Sequence, residues 1–327
     1  MYRAAIIGCG GIAQVHAAVL SSLPDVTITA CADIRPERAQ AMAEKYGCHA
    51  YSSIDDLLQN EEVDTVHLCT PHVFHAPMAL QAAKKGIAVF TEKPPVMTRE
   101  QWPMLEEAAK LVPLGICFQN RYNAGTKEAK RIIEEKIYGS PKGARAFVTW
   151  SRGVSYYKDS GWRGTWEKEG GGVLINQSIH TLDLLIWLLG QPESAEAHMA
   201  NHHLRDVIEV EDTIEAYLKI GGCPVLFYAT TAYSDDSPVF LEIQLEEATI
   251  RVESDAVEVR TKEGIERRTY QAPETLGKNY WGSGHTSCIA DFYDSLKNNR
   301  PFQNDLESVR ATADTMLRLY EDGKKTL

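Results

Sequence analysis

The chain has 327 residues, 44% of them hydrophobic and 24% charged, which is enough for two domains with cores of their own. A formal net charge of −11 excludes nucleic acid and anionic membrane as main partners, because both require a basic face. No apolar run reaches the ~18 residues of a membrane helix, and Met1-Tyr-Arg3 leads straight into Ala4–Ile7 and a glycine turn, so the expected location is cytoplasmic. The cysteines (Cys9, Cys31, Cys48, Cys69, Cys117, Cys223, Cys288) are odd in number and include no C-x-x-C pair, which predicts reduced thiols and no metal site.

Residues 3–7 predict a short buried strand, followed by Gly8-Cys-Gly10-Gly11-Ile12-Ala13 and a helical pattern to Leu23. Glycines in this order, with a strand before and a helix after, form the fingerprint of a dinucleotide-binding turn. Gly8 allows the tight turn, Gly10 lets backbone approach a pyrophosphate, and the small Ala13 lets helix pack on strand. Gly11 and Ile12 complete the candidate cofactor contacts there. A second strand, 26–32, ends on Asp33, where a carboxylate can accept hydrogen bonds from the adenosine ribose. A carboxylate welcomes a 2′-hydroxyl and repels a 2′-phosphate, so the expected cofactor is NAD. Arg35 and Arg38 could pair with that phosphate and keep NADP open.

Alternation then continues, with helices predicted at 36–47, 54–59 and up to Lys85, and strands at 48–51, 63–68, 87–90 and 114–118. This spacing predicts an α/β Rossmann domain, a doubly wound parallel sheet over residues 1–121, with ligands at the carboxyl ends of the strands. Two such ends carry Thr70-Pro71-His72 and Glu92-Lys93-Pro94, so both turns should border the cofactor cleft. His72 is expected to line the nicotinamide pocket and His75 to serve mainly structure, with Thr70, Pro71, His72, His75, Glu92 and Lys93 all candidate cofactor contacts.

From residue 122 to 327 the pattern changes to an α+β domain with a large, mostly antiparallel, open-faced sheet. Strands are predicted at 143–150, 213–220, 224–232, 239–245, 248–252 and 257–260, and helices at 128–136, 285–297 and 305–323. Alternation in 213–220 puts Ile214, Ala216, Leu218 and Ile220 on one face and Thr213, Glu215, Tyr217 and Lys219 on the other. The uncovered face is the expected surface of a homodimer or homotetramer. Pocket shape should depend on loops such as 151–169, with Tyr156, Tyr157, Trp162, Arg163 and Trp166, and 271–285.

Between them, Gly170-Gly-Gly-Val-Leu-Ile-Asn176-Gln-Ser-Ile-His180-Thr-Leu-Asp183 opens a helix that runs to a stop at Gly190. At about 100° per residue, Asn176, His180, Asp183 and Trp187 share a polar edge opposite an apolar face. Oxidation of an alcohol needs a base and a group to steady the developing alkoxide. Lys93, at a strand end where partial burial lowers an amine's proton affinity, and His180, with Asp183 as an orienting partner and Asn176 as a hydrogen-bonding group, are the candidates.

Gly8–Ala13, Thr70-Pro71 with His75, Glu92-Lys93-Pro94, residues 170–183, Gly284-His285 and Asp291-Phe292 together resemble the glucose-fructose oxidoreductase / inositol dehydrogenase / rhizopine-catabolism (Gfo/Idh/MocA) family over essentially the whole chain. The resemblance implies that Lys93 contacts the reacting hydroxyl and precedes a cis proline, that His180 is the general acid/base, that Trp162 and Arg163 reach the cofactor, and that Arg121 lies near the domain junction. Inositol dehydrogenase-like members carry aspartate where this chain has Asn176. The missing charge lowers the basicity of His180 and points away from myo-inositol toward a sugar or sugar derivative. The expected activity is NAD(H)-dependent hydride transfer to or from a secondary alcohol or ketone of a sugar, sugar derivative or cyclitol. The alternatives are glycoside cleavage by transient oxidation, or a catalytically silent sugar-sensing regulator.

Overall fold

The computed structural model describes residues 1–271 and 283–327, so most of the loop expected at 271–285 lies outside the described residues. The chain forms two compact units, the first made of Met1–Phe118 and His285–Val309 and the second of Gln119–Gly284 and Arg310–Leu327.

In the first unit β1 (Tyr2–Ile7), β2 (Val26–Ala32), β3 (His49–Tyr51), β4 (Thr65–Leu68), β5 (Ala88–Thr91) and β6 (Leu114–Ile116) pair in parallel in the order β3-β2-β1-β4-β5-β6. Helices α1 (Gly11–Ser22), α2 (Pro36–Tyr46), α3 (Ile54–Asn60), α4 (His75–Ala83) and α5 (Trp102–Leu111) link them. Every residue of β4 and β5 is buried, which is why these strands show no alternation in the sequence. Strand order reverses between β1 and β4, and ligands of open α/β sheets bind outside the carboxyl ends at such a point. Gly8, Thr70 and Lys93 all follow carboxyl ends of central strands.

The second unit carries α6 (Ala124–Glu134), β7 (Pro141–Thr149), α7 (Val154–Lys158), α8 (Ile179–Leu189), β8 (Pro192–Ala200), β9 (Thr213–Ile220), β10 (Cys223–Thr230), β11 (Phe240–Leu245), β12 (Thr249–Val252), β13 (Ala256–Arg260) and β14 (Ile265–Thr269). Its sheet runs β14-β13-β12-β11-β7-β10-β9-β8, antiparallel except where β10 pairs with β7. β8 and β14 are absent from the sequence expectation. Both are edge strands, and β8 is built mostly from Pro, Glu, Ser and Ala, whose strand propensity is low. In β9 the predicted apolar face is buried while Glu215, Tyr217 and Lys219 are exposed. Tyr217 pairs across to Leu226 of β10 on that open face.

The expected boundary after residue 121 falls at Phe118, and the C-terminal segment is divided between the two units. Within the first unit, α9 (Gly284–Asn298) brings Phe292 to 5.1 Å from Phe90 between ring centroids, and Phe302 lies 5.5 Å from Phe292. Gly115 of β6 makes the room, since a Cβ there would meet both Phe292 and Phe302 at 2.9 Å. The remaining helix is α10 (Leu306–Gly323). Among the described residues all seven cysteines are free, and no helix is long and apolar enough to cross a membrane.

Candidate active site

In the first unit the turn after β1 has the form that a dinucleotide pyrophosphate requires. Gly8 adopts φ +87°, and a Cβ on it would sit 2.7 Å from the Cys69 carbonyl oxygen, so neighbouring strand ends could not close on any other residue. Cβ atoms at Gly10 and Gly11 would meet nothing within 4 Å, and no side chain caps α1 at Gly10, so its first N–H groups remain for an anion. Ala13 is completely buried, as the packing of helix on strand demands.

Asp33 follows β2 and is half-buried. Its Oδ2 accepts the Cys9 N–H at 2.7 Å and its Oδ1 the Arg35 N–H at 2.8 Å, which fixes the carboxylate while each oxygen keeps a lone pair for a ribose hydroxyl. Asp33→Ser is therefore expected to weaken NAD binding roughly 10- to 100-fold, the range for losing hydrogen bonds to a charged group. With Arg35 and Arg38 left exposed, relative use of NADP should rise. Titration of both cofactors by fluorescence checks this, and unchanged affinity for NAD would remove Asp33 from the site.

The turn after β5 holds Glu92, Lys93 and Pro94, with the Lys93-Pro94 peptide cis. Lys93 is half-buried and its N–H donates to Glu92 Oε2 at 3.3 Å. His75 places Nδ1 2.9 Å from the Pro94 carbonyl oxygen and Nε2 2.9 Å from that of Thr70. It is buried, and its two ring nitrogens lie against carbonyl oxygens of the Thr70 and Pro94 turns, which it holds together. His72 is also buried, its ring 5.8 Å from that of His75.

In the second unit the three glycines do more than open a helix. A Cβ on Gly171 would lie 1.9 Å from the Tyr320 hydroxyl, and one on Gly172 would lie 1.9 Å from the Glu211 carbonyl oxygen. Glu211 caps the segment that follows, accepting the N–H groups of Gly172 at 2.9 Å and Leu174 at 3.0 Å and the Tyr320 hydroxyl at 2.8 Å. Leu174–Ser178 is a π-helical turn, with the Ser178 hydroxyl donating to Val173 O at 2.9 Å. The regular spacing that aligned Asn176 with His180 therefore does not hold there.

Asn176 donates through Nδ2 to Glu169, and Gln177 donates to the Tyr156 hydroxyl at 3.0 Å. Arg163 stacks 4.3 Å over the Tyr156 ring and 5.0 Å over that of Trp162. His180 is half-buried, its Nε2 3.5 Å from Gln119 Nε2. Asp183 is not its orienting partner. The Asp183 carboxylate is buried against Arg121, at 2.8 Å and 2.5 Å, and accepts the Thr312 hydroxyl at 2.7 Å. One turn of helix carries these two polar residues to different surroundings.

Glu169 and Glu211 have no signal in the sequence beyond lying near the glycines, yet both are fully buried. Burial pushes each carboxyl up to about 7, against the pull of the Gly164 N–H and Asn176 on Glu169, and of the Leu174 N–H and Tyr320 on Glu211. Between the ordinary 4.5 and about 7 the folded protein keeps protons that the unfolded chain has released, so stability must fall as pH rises through this window. The loss is on the order of 3 kcal/mol per group. Glu169→Gln should flatten the decline in thermal midpoint over that range, and parallel curves for the two proteins would refute the assignment.

Residues 2–113 match the family described as oxidoreductase family, NAD-binding Rossmann fold, and residues 126–251 match the GFO/IDH/MocA C-terminal domain. The chain belongs to the GFO/IDH/MocA oxidoreductase family. It is 35% identical over 204 residues to D-glucoside 3-dehydrogenase of Escherichia coli (strain K12), a stretch covering 60% of this chain and 57% of that protein. To myo-inositol 2-dehydrogenase of Thermotoga maritima it is 29% identical over 197 residues, 58% of this chain and 55% of that one. The matched stretch thus spans little more than half the length of either relative. The WlbA dehydrogenase of Bordetella pertussis, solved with NADH and UDP-GlcNAcA, superposes with a TM-score of 0.87 at 27% identity, covering 100% of this chain and 97% of that one.

Proposed function

We propose that this protein is an NAD(H)-dependent dehydrogenase or reductase acting on a secondary alcohol, or the matching ketone, of a sugar or sugar derivative, with glycosides as the first class to test. The observation that carries the reading is the place of Lys93, half-buried just past the carboxyl end of β5 in a sheet whose β1 turn fits a dinucleotide. NAD, when bound, supplies the hydride acceptor or donor. Lys93 Nζ holds the reacting oxygen and stabilises its developing negative charge. His180 takes the hydroxyl proton during oxidation and returns it during reduction. Asn176, whose amide nitrogen is committed to Glu169, offers its carbonyl oxygen as a neutral acceptor for a substrate hydroxyl where a carboxylate would add charge. Trp162 and Arg163, stacked beside Tyr156, are proposed to close over the cofactor.

The 35% identity to D-glucoside 3-dehydrogenase, against 29% for myo-inositol 2-dehydrogenase, supports glycosides over inositol, as does Asn176. The test is nicotinamide absorbance in the presence of NAD or NADP with methyl α- and β-D-glucosides, free glucose, a nucleotide-linked sugar acid and myo-inositol. Reduction with a glucoside or sugar acid is the expected result, and turnover with myo-inositol alone would overturn it. Cofactor that stays bound through purification, with no net reduction while a glycoside is cleaved, would indicate transient oxidation instead.

The second unit also leaves Tyr217 and Leu226 paired and about half exposed on its open sheet face. We infer that this face joins copies of the chain into a dimer or tetramer.

A further inference from the structure

In the second unit two successive amides converge on one phenol. The Gln177 amide nitrogen lies 3.0 Å from the hydroxyl oxygen of Tyr156 in α7, and that of Asn176 lies 3.4 Å from the same atom. Consecutive side chains of a regular α-helix diverge by about 100° and do not face each other. The π-helical turn at Leu174–Ser178 departs from that spacing, and turns of this kind are frequent at functional sites.

Hydrogen-bonding capacity shows what the phenol has left to offer. An amide nitrogen only donates, so both contacts fall on the acceptor side of the Tyr156 oxygen. Its own hydrogen points elsewhere, and among the described residues no acceptor receives it. Burial raises the phenol above its usual range, so this hydrogen is in place near neutrality. Turning the Gln177 amide end for end would let its oxygen take the phenol hydrogen, but its nitrogen would then lack an acceptor. Either way the Tyr156–Gln177 pair keeps one donor over.

Gln177 is itself poorly satisfied. It is 6% exposed, its Oε1 is buried with no hydrogen-bond partner among the described residues, and its one side-chain hydrogen bond runs to Tyr156. A leucine would fill this space without stranding a polar atom, so the amide is explained by what it does for the phenol. An N–H donated to the phenol oxygen directs the O–H and polarises it, which strengthens the bond that the hydroxyl makes outward. The ring is fixed from its sides as well. The guanidinium groups of Arg163 and Arg152 lie 4.3 Å and 5.3 Å from its centroid, and Tyr157 meets it edge-on at 5.0 Å.

We propose that Tyr156 binds the substrate, its phenol donating a hydrogen bond to the oxygen of a sugar hydroxyl other than the one that reacts, and that Gln177 is the positioning residue that aims it. This rests on the functional reading above, in which Asn176, 3.4 Å from the phenol, meets the substrate. Of the oxygens on a sugar, a hydroxyl oxygen is a better acceptor than an acetal oxygen, which makes it the fitting partner for a phenol. A site built to donate to a hydroxyl rejects the analogue that lacks it, because the donor is then left unmet. Tyr156 thereby selects among sugars by the presence of one hydroxyl.

The test uses NAD-loaded protein, the sugar it turns over best, and the single-deoxy analogues of that sugar. Tyr156→Phe keeps the stacked ring and removes only the hydroxyl. It should raise KM about 5- to 30-fold, the range for one hydrogen bond, while kcat changes far less. At one non-reacting position the deoxy analogue should lose about as much with the unaltered protein and lose nothing further with Tyr156→Phe. Gln177→Leu should raise KM in the same way, and the two substitutions together no more than Tyr156→Phe alone. An unchanged KM in Tyr156→Phe overturns the proposal. So does a loss that is equal for the parent sugar and every deoxy analogue, because the phenol would then serve structure only. If Tyr156→Phe fails to fold, the deoxy series with the unaltered protein and Gln177→Leu decides, and a series in which no single non-reacting hydroxyl matters refutes the assignment. Should none of the sugars reduce NAD or NADP, the functional reading falls by itself. Calorimetric titration of the same sugars into NAD-loaded protein then reads the contact, and no binding, or binding that Tyr156→Phe does not weaken, ends the proposal too.

Discussion

Lys93→Met is expected to lower kcat about 10²- to 10⁴-fold, the usual range for a positioned acid/base group, while leaving affinity for NAD within a factor of a few. Methionine matches the length of lysine and removes only its charge and hydrogen bonds, so the turn tied by His75 to Thr70 and Pro94 should persist. His180→Ala should cost as much again in kcat, and the pair together less than the product of the two, because groups that act on one reacting hydroxyl are not additive. Stopped-flow reduction of NAD with the best substrate, alongside cofactor titration, separates chemistry from binding. Undiminished turnover in either single variant would remove that residue from the reaction.

Arg121→Met should reduce stability by about 3–5 kcal/mol, the cost of leaving one member of a buried ion pair without the other. Both side chains are 1% exposed, and once Arg121 is gone Asp183 keeps only the Thr312 hydroxyl among the hydrogen bonds described above. Arg121→Met with Asp183→Leu removes both charges, and the double variant should recover most of the loss or exceed the original stability. Calorimetry of the three proteins distinguishes these cases, and a single variant that loses less than ~1 kcal/mol would mean that the pair contributes little. Since Asp183 sits one turn from His180 on α8, the single variant should also lower kcat without affecting cofactor affinity.

How much of this could be read from the sequence depends on how far apart the interacting residues lie. Gly8–Ala13, Asp33 and Lys93 announce themselves because their meaning is local, a strand end followed by a turn of fixed chemistry. The alternation in β9 likewise reports its own burial. Asp183 is harder to place because its neighbour in sequence, His180, is not its partner in space; that partner, Arg121, lies 62 positions away. Glu211 and Tyr320, 109 positions apart, meet at glycines that read only as a flexible start to a helix. The π-helical turn at Leu174–Ser178 depends on contacts with Glu211 and Tyr320 and has no signature in its own residues.

The division of the first unit into Met1–Phe118 and His285–Val309 bears on how the protein is made. A ribosome delivers the chain from its amino end at about 5–20 residues per second, so roughly 9–37 s separate the emergence of β6 from that of Phe292 and Phe302. During that interval Phe90 and Gly115 lack the aromatic rings that cover them, and the nascent dinucleotide fold exposes an apolar strip at its β5–β6 side. The newborn protein therefore has a waiting period in which that strip lacks the cover its C-terminal segment later supplies. Synonymous codons that slow translation between residues 119 and 284 would lengthen this exposure and reduce soluble yield without altering a single amino acid.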